Sequence, residues 1–295
     1  MISRAFDPIR QVVNENYATC LIALFGIVSF SVLVEQPYMP IMAKIFVPWL
    51  VLIAVFNPTR GLRAAMILIA TLLLAWNVFG DWYRVANHSF MITFIGAALF
   101  LMIAAEEQGE DAMRFMARYI LCALMALALV QKLISPYYMS GNLMADYILT
   151  IPDFFSNLIS IVSIEHLDTI REVERSEFKL RNAPPSELSN VAISVPPVIA
   201  TIAFALTYSS IFWQAVLEGV LIFKARLGLW THGTVILFVL IIYATVDENE
   251  FLSMNCLLGY AMTDESTKRA RFWYVLLIFF LLTFKLMGIR PNLVS

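Results

Sequence analysis

The sequence predicts an all-α protein, a polytopic transmembrane helix bundle with about eight to ten spans. Of its 295 residues, 60% are hydrophobic and only 14% are charged, whereas soluble domains carry about 25% charged residues. The mean hydropathy is +0.78, and apolar runs of about 20 residues, the length needed to cross a bilayer, recur along the chain. We therefore expect an integral membrane protein with membrane lipids as its first partners.

The apolar runs place the predicted spans. They cover residues 17–34, 38–56, 64–80, 89–105, 115–134, 142–163, 191–209, 211–224, 228–246 and 271–288. The sixth holds Asp146, Pro152 and Asp153, so it is predicted to be broken or re-entrant. Residues 251–263 are too short to span at about 1.5 Å per residue, and we expect a short helix there that enters one leaflet or returns.

The basic residues orient the spans. If the sixth segment crosses, six basic clusters fall on the side of the N-terminus, which is then cytoplasmic; they are Arg4/Arg10, Arg60/Arg63, Arg114/Arg118, Arg171/Arg175/Lys179/Arg181, Lys224/Arg226 and Lys268/Arg269/Arg271. We expect one bundle domain over 1–295, with a polar surface helix and loop at 164–190 on the cytoplasmic side. That stretch is either a solvated helix or a docking surface for a partner.

Charge and cysteine content exclude several classes of function. The formal net charge is −2, which argues against a nucleic-acid partner because phosphate binding needs a basic surface. The cysteines, Cys20, Cys122 and Cys256, are far apart in apolar segments and are predicted to be small buried hydrophobes. We predict no metal site.

Ionisable residues at membrane depth are the candidates for function. His88 opens the fourth predicted span and Lys132 closes the fifth, so both fall near the outer face. Such a pair could act as acid and base if the lysine amine is held neutral. The alternative is that Lys132 extends its ammonium to the headgroups and that His88 caps a helix. Glu218, inside the eighth predicted span, is predicted to be buried and to be paired or protonated.

Two stretches resemble the membrane region of the vitamin K-dependent gamma-carboxylase and its bacterial relatives, the horizontally transferred transmembrane (HTTM) proteins. They are "NHSFMITFIGAALFLM" from residue 87 and "LALVQKLISPYYMSGNLMADYIL" from residue 127. The family pattern has Asn-His-Ser before one helix, then Lys-Leu at the end of another, then a Gly; these are Asn87-His88-Ser89, Lys132-Leu133 and Gly141 here. "LEGVLIFKARLGLWTHGTVILF", from residue 217, is similar to a third family segment.

The resemblance implies a site. In the carboxylase the matching lysine deprotonates reduced vitamin K and the histidine assists proton transfer, so these roles fall on Lys132 and His88, with a quinol as the implied cofactor. We also assign ligand-binding positions to Arg84, Asn87, Tyr138 and Glu218. Departures include Gln131 in place of the first family lysine, tyrosines in place of a Trp, and no expected counterpart of the carboxylase's large extramembranous domain.

Three functions stay open at this point. The first is a proton-abstracting membrane enzyme acting on a quinol-type or other lipid-soluble substrate. The second is a non-catalytic subunit that packs against other membrane proteins, or a lipid- or pigment-binding protein, which suits the 13% aromatic content and the fourteen methionines. The third is a transporter, although no convincing inverted repeat is visible.

Overall fold

The computed structural model describes residues 7–35, 40–80, 87–150, 197–223, 228–245 and 249–287. Within these ranges all regular structure is helical, which confirms the predicted all-α class. The α-helices are α1 Asp7–Glu15, α2 Tyr17–Glu35, α3 Ile41–Phe56, α4 Arg60–Gly80, α5 Asn87–Ala104, α6 Gly109–Ile134, α7 Pro136–Met139, α8 Asn142–Thr150, α9 Pro197–Phe223, α10 Leu229–Thr245, α11 Asn249–Ala261 and α12 Arg269–Leu286. A 3₁₀ turn, Glu106–Gln108, joins α5 to α6.

Within the described ranges, three helices are long and apolar enough to cross a membrane. They are α2 over Tyr17–Val34, α6 with 26 residues and α9 with 27 residues. Shorter apolar helices occupy Ile41–Phe56, Phe90–Ala104 and Leu229–Tyr243. These lengths and compositions are compatible with a membrane protein.

One prediction about the spans is wrong. Residues 191–209 and 211–224 were predicted as two spans, but the structure has one continuous helix, α9, from Pro197 to Phe223. The polar run Tyr208-Ser209-Ser210 does not interrupt it. The Thr207 hydroxyl donates to the Ala203 carbonyl and the Ser210 hydroxyl donates to the Thr207 carbonyl, at 2.9 Å each. Both hydroxyls therefore form hydrogen bonds within their own helix.

The chain packs as two compact units. Unit 1 comprises 1–124, 220–239 and 248–289, and unit 2 comprises 125–219, 240–247 and 290–295. Helices α6, α9 and α10 contribute residues to both. The expected single domain stays a prediction, and the predicted surface helix at 164–190 lies outside the described residues.

In unit 1, helices α2 to α5 pack against one another in chain order, and α2 also packs on α5. Glycines allow two of these helix pairs to approach closely. A Cβ at Gly26 would lie 2.7 Å from Val51, and one at Gly96 would lie 2.5 Å from Thr71 Oγ1. Small residues at such contacts are typical of helices packed inside membranes.

Helix α11 is the most buried element of unit 1. It has 13 residues, and every one from Leu252 to Ala261 is buried because α2, α5 and α12 all pack on it. The predicted short helix at 251–263 is therefore confirmed. At its end, Gly259 leaves room for the ring of Tyr274 from α12.

The turn between α11 and α12 is held by polar contacts. Asp264 accepts hydrogen bonds from the Thr267 amide, the Thr267 hydroxyl and the Ser266 hydroxyl, at 2.9, 2.8 and 2.7 Å. Burial acts to raise the pKa of Asp264, but these hydrogen bonds outweigh burial and hold the pKa below its usual value. The side chain is thus a fixed anion that shapes the turn.

Arg271 joins this turn to the N-terminal part of the chain. Its guanidinium is 1% exposed and donates to Thr263 Oγ1 and to the Asn14 carbonyl, at 2.9 and 2.8 Å. It also lies 4.8 Å above the ring of Tyr17, which stacks on Tyr260 with ring centroids 5.6 Å apart. Arg271, which belongs to a basic cluster predicted on the side of the N-terminus, is thus fully buried.

Candidate functional site

The end of helix α6 positions the candidate site, which lies in unit 2. Helix α6 ends at Ile134, and Ser135 caps α7 by accepting a hydrogen bond from the Tyr138 amide at 3.2 Å. Pro136 occupies the first turn of α7, where its missing N–H has no cost. Helix α6 therefore ends before Pro136, and the tight α7 turn brings Tyr138 back beneath Lys132.

Gly141 closes this turn. Its φ of +80° lies in the left-handed region, which residues with a Cβ rarely adopt. A Cβ there would also lie 3.2 Å from the Phe204 amide nitrogen. The glycine therefore lets the chain turn into α8 while its backbone rests against α9.

Lys132 points toward protein groups. Its amine is half-buried, lies 3.4 Å from Ser210 Oγ and stands 5.3 Å above the centre of the Tyr138 ring. The Tyr138 hydroxyl, itself buried, lies 2.5 Å from the same Ser210 oxygen. Because Ser210 donates its own proton to the Thr207 carbonyl, its oxygen accepts from both the lysine and the tyrosine.

A polar stripe continues from Ser210 along α9. Gln214 and Glu218 follow at four-residue spacing, so all three lie on one face of the helix. Gln214 is 5% exposed and Glu218 is 9% exposed. Among the described residues, neither Gln214 Oε1 nor Glu218 Oε2 has a hydrogen-bond partner. The Gln214 amide makes one weak contact, 3.9 Å from Met125 Sδ on α6.

The structure brings some of the predicted site residues together. Lys132 and Tyr138 are in direct contact, and Glu218 lies two helical turns from the serine that binds them. Asn87 and His88 form the start of α5, as expected. Arg84 lies outside the described residues. The pairing of His88, in unit 1, with Lys132, in unit 2, stays a prediction.

Two site residues were not predicted from the sequence, Ser210 and Gln214. Their spacing with Glu218 was visible as three polar residues at intervals of four in a greasy segment. That signal was hidden because Ser210 was placed in a loop between two spans. Only the continuous helix α9 puts the three side chains on one face.

The remaining polar candidates make structural contacts in unit 1. His232 is 1% exposed and its Nδ1 lies 3.0 Å from the Tyr274 hydroxyl. In the acidic stretch 247–250, Glu250 forms an ion pair with Lys285, and Asp247 and Glu248 lie outside the described residues. Cys20 and Cys122 are half-buried, Cys256 is buried, and none of the three forms a disulfide. No group of metal-binding side chains occurs among the described residues.

Comparison with known proteins gives no relative: no family model, no curated protein and no solved structure matches this chain.

Proposed function

We propose that the chain is a multi-pass integral membrane protein with a cytoplasmic N-terminus, in which Lys132 acts as a base toward a lipid-soluble acid. Support for the membrane setting comes from the long apolar helices α2, α6 and α9 and from large exposed apolar side chains such as Trp230 and Phe223. The resemblance to the gamma-carboxylase and HTTM proteins supports the choice of chemistry and of a quinol as the acid.

One pattern of contacts supports part of the proposed topology. Arg118, in the first half of α6, donates to the Leu221 carbonyl at 2.8 Å, and further along Lys132 contacts Ser210. The two helices therefore run antiparallel. We propose that α9 is a single crossing in the direction opposite to α6.

The observation that carries the proposed chemistry is the position of the Lys132 amine. A lysine that only extends to the headgroups stretches past its helix end toward water. Here the amine turns to Ser210 Oγ and the Tyr138 ring. A neutral amine held in this way has a lone pair for a substrate O–H, and the ammonium formed by proton transfer is stabilised by the ring face.

The step is a simple proton transfer. The acidic O–H bond of the substrate breaks, its electron pair stays on the substrate oxygen, and the proton forms a new bond to Lys132 Nζ. Ser210 keeps its acceptor oxygen on the amine throughout, so the new ammonium does not lose its contact. Loss of the proton to water restores the neutral base. His88 keeps its proposed role as a second proton carrier.

Oxygen uptake tests the proposal, because a deprotonated quinol reacts with dissolved oxygen faster than its neutral form. Protein in lipid nanodiscs is given a short-chain naphthoquinol, and uptake is compared with that of empty nanodiscs. We expect Lys132→Met and Lys132→Arg to lower the protein-dependent rate by about 100-fold or more, the usual contribution of a positioned base. Arginine keeps the charge but cannot be deprotonated.

Lys44 provides the matched control. It also lies near the end of an apolar helix, but its amine contacts only the Val34 carbonyl, at 3.4 Å, among the contacts described for it. Lys44→Arg and Lys44→Met should leave uptake unchanged. Wild-type uptake by Lys132→Arg would overturn the proposed base, since a lysine needed only for its charge tolerates arginine.

A non-catalytic subunit is the second candidate, and one surface is compatible with it. On α3, large apolar side chains are exposed at helical spacing; they are Ile45, Phe46, Trp49, Leu52, Ile53 and Phe56. Lipid tails or a helix of another membrane protein could cover this face equally well. Purification in mild detergent separates the two, because a lone monomer counts against the subunit. The short buried helix α11 keeps a transporter as the third candidate.

A further inference from the structure

The structure points to a second ligand-binding position on α9, beyond the lysine. We propose that Gln214 and Glu218 bind a hydrogen-bond-donating group, a hydroxyl or an N–H, of the membrane-soluble ligand whose acidic end meets Lys132. This inference deepens the proposed function and rests on it for the position of the acidic end. It assigns to the ligand a second polar group that the proposed chemistry does not itself require.

Two buried acceptor atoms on α9 have no hydrogen-bond donor among the described residues. Gln214 Oε1 and Glu218 Oε2 are both acceptors, both buried, and neither has a partner among the described residues. Buried polar atoms in proteins are nearly always paired. Two acceptors one helical turn apart without a donor therefore call for a ligand group that brings donors.

The polar side chains of α9 are regularly spaced beside α6. Ser210, Gln214 and Glu218 recur every four residues, so they are about 6 Å apart along the helix axis. The Lys132 amine contacts Ser210 and Met125 contacts Gln214, so the stripe faces the same side of α6 throughout unit 2. A ligand with its acidic end at Lys132 thus places a second group opposite Gln214 or Glu218 if that group lies about 6 to 12 Å away.

The backbone beside Glu218 is also open. Apart from the neighbouring residues and the helix's own backbone, no atom of the described residues lies within 4 Å of the place where a Cβ at Gly219 would stand. Space for a ligand group is therefore left next to the Glu218 carboxylate.

A purely structural alternative is specific enough to be excluded. If Glu218 is protonated, its O–H could donate to Gln214 Oε1 across one turn after a change of rotamer. That hydrogen bond would stabilise the helix, and removal of either side chain would lower stability. In the proposed site the acceptors are unmet in the ligand-free protein, so their replacement by an apolar side chain of similar shape should raise stability.

Two probes of one shape measure the second position. The hydroxyls of 4,4′-dihydroxybiphenyl are separated by two phenyl rings, a span comparable with two helical turns of about 5.4 Å each. The probe 4-hydroxy-4′-methoxybiphenyl keeps one donor and replaces the other with an acceptor. Dissociation constants are measured in nanodiscs for wild type, Gln214→Met, Glu218→Met and the control Thr201→Val, whose hydroxyl is exposed and bonds only its own helix.

We expect wild type and Thr201→Val to prefer the dihydroxy probe by about tenfold, the ratio that one hydrogen bond supplies. Because membrane partitioning of each probe is common to all variants, a change in this preference reports the site. Gln214→Met and Glu218→Met should reduce the preference to near one and raise the apparent melting temperature by a few degrees. If Glu218→Met does not fold, Gln214→Met, which removes a neutral amide, carries the test.

The proposal is overturned if the preference persists in both methionine variants, if their melting temperatures fall, or if wild type binds neither probe. Lys132→Met separates this failure from that of the base. If Lys132→Met loses affinity equally for both probes and wild type shows no donor preference, the role of Lys132 is supported and the second position is refuted. If Lys132→Met keeps its affinity and Gln214→Met loses the preference, the second position is supported and the role of Lys132 is refuted.

Discussion

Replacing Gly259 by alanine should destabilise the protein, although alanine is the better helix former. An ideal Cβ at Gly259 lies 2.3 Å from Tyr274 Cε1 and 2.4 Å from Cζ, whereas carbon atoms in contact are about 3.5 to 4.0 Å apart. The ring must therefore move by more than 1 Å (about one third of that spacing). It cannot do so freely, because Tyr274 is fully buried and its hydroxyl lies 3.0 Å from His232 Nδ1.

The magnitude follows from two opposing effects. Overpacking a filled core costs about 1 to 3 kcal/mol, and the fixed ring places Gly259→Ala at the upper end. Better helix propensity returns up to about 1 kcal/mol, so the net loss is about 2 kcal/mol. Gly233 is the matched control, since it lies in α10 with no described atom within 4 Å of an added Cβ. There alanine should stabilise by up to about 1 kcal/mol.

Thermal unfolding in detergent with a fluorogenic maleimide measures both changes when the half-buried Cys20 and Cys122 are replaced by serine, because the remaining Cys256 is fully buried one turn before Gly259 and reacts only on unfolding. We expect Gly259→Ala to lower the melting temperature by several degrees and Gly233→Ala to raise it slightly. In a Tyr274→Leu background, Gly259→Ala should cost much less, because the two sites couple through the clash. Equal shifts for both glycine variants would refute the packing of α11 against α12.

Three further changes test other parts of the structure. Gly141→Ala should destabilise by about 1 to 2 kcal/mol, because φ is +80° there. Glu250→Gln should cost about 3 kcal/mol, the lower end for a broken buried ion pair, by leaving the largely buried Lys285 without its carboxylate. Asp264→Asn should lower the melting temperature near neutral pH, but progressively less as the pH falls below about 4, because a depressed pKa contributes stability only above the unfolded value of 3.8.

Each of these changes has its own check by thermal unfolding. Gly61→Ala should not destabilise, since no described atom lies within 4 Å of its added Cβ, and an equal loss there would contradict the role of φ at Gly141. Adding Lys285→Met to Glu250→Gln should restore stability if the loss of the carboxylate beside the lysine charge is the cause. A constant effect of Asp264→Asn from pH 7 to pH 3 would show that its ionisation does not hold the turn.

Much of the fold was predictable because membrane helices are defined by length and apolarity. The predicted starts and ends of α2, α3 and α10 agree with the structure to within a few residues, and α11 was recognised as too short to span. The error at α9 has a physical cause. Its Ser and Thr hydroxyls bond to carbonyls of their own helix, so polarity there does not signal a break.

The site was predictable only in part. Lys132 and Tyr138 are six residues apart and are joined by the Ser135-Pro136 turn, so their proximity is predictable from the sequence. Ser210, which contacts both, is 78 residues from Lys132 in the chain. No local pattern reports such a contact, because it depends on how α6 and α9 pack. Gln214 became visible for the same reason, once α9 was known to be continuous.

The most direct test of the account is chemical rescue of Lys132→Ala. This variant removes the amine and leaves space beside Ser210 and the Tyr138 ring, where the lysine stood. Oxygen uptake with the naphthoquinol is measured as ethylamine is added at several pH values, with tetramethylammonium as a cation that cannot accept a proton.

We predict that uptake by Lys132→Ala rises with the concentration of neutral ethylamine and does not respond to tetramethylammonium, because a base is what the variant lacks. Wild type, which already holds its amine, should gain nothing. Full oxygen uptake by Lys132→Ala without any amine, or equal rescue by ethylamine and tetramethylammonium, would contradict the claim that this lysine is the base.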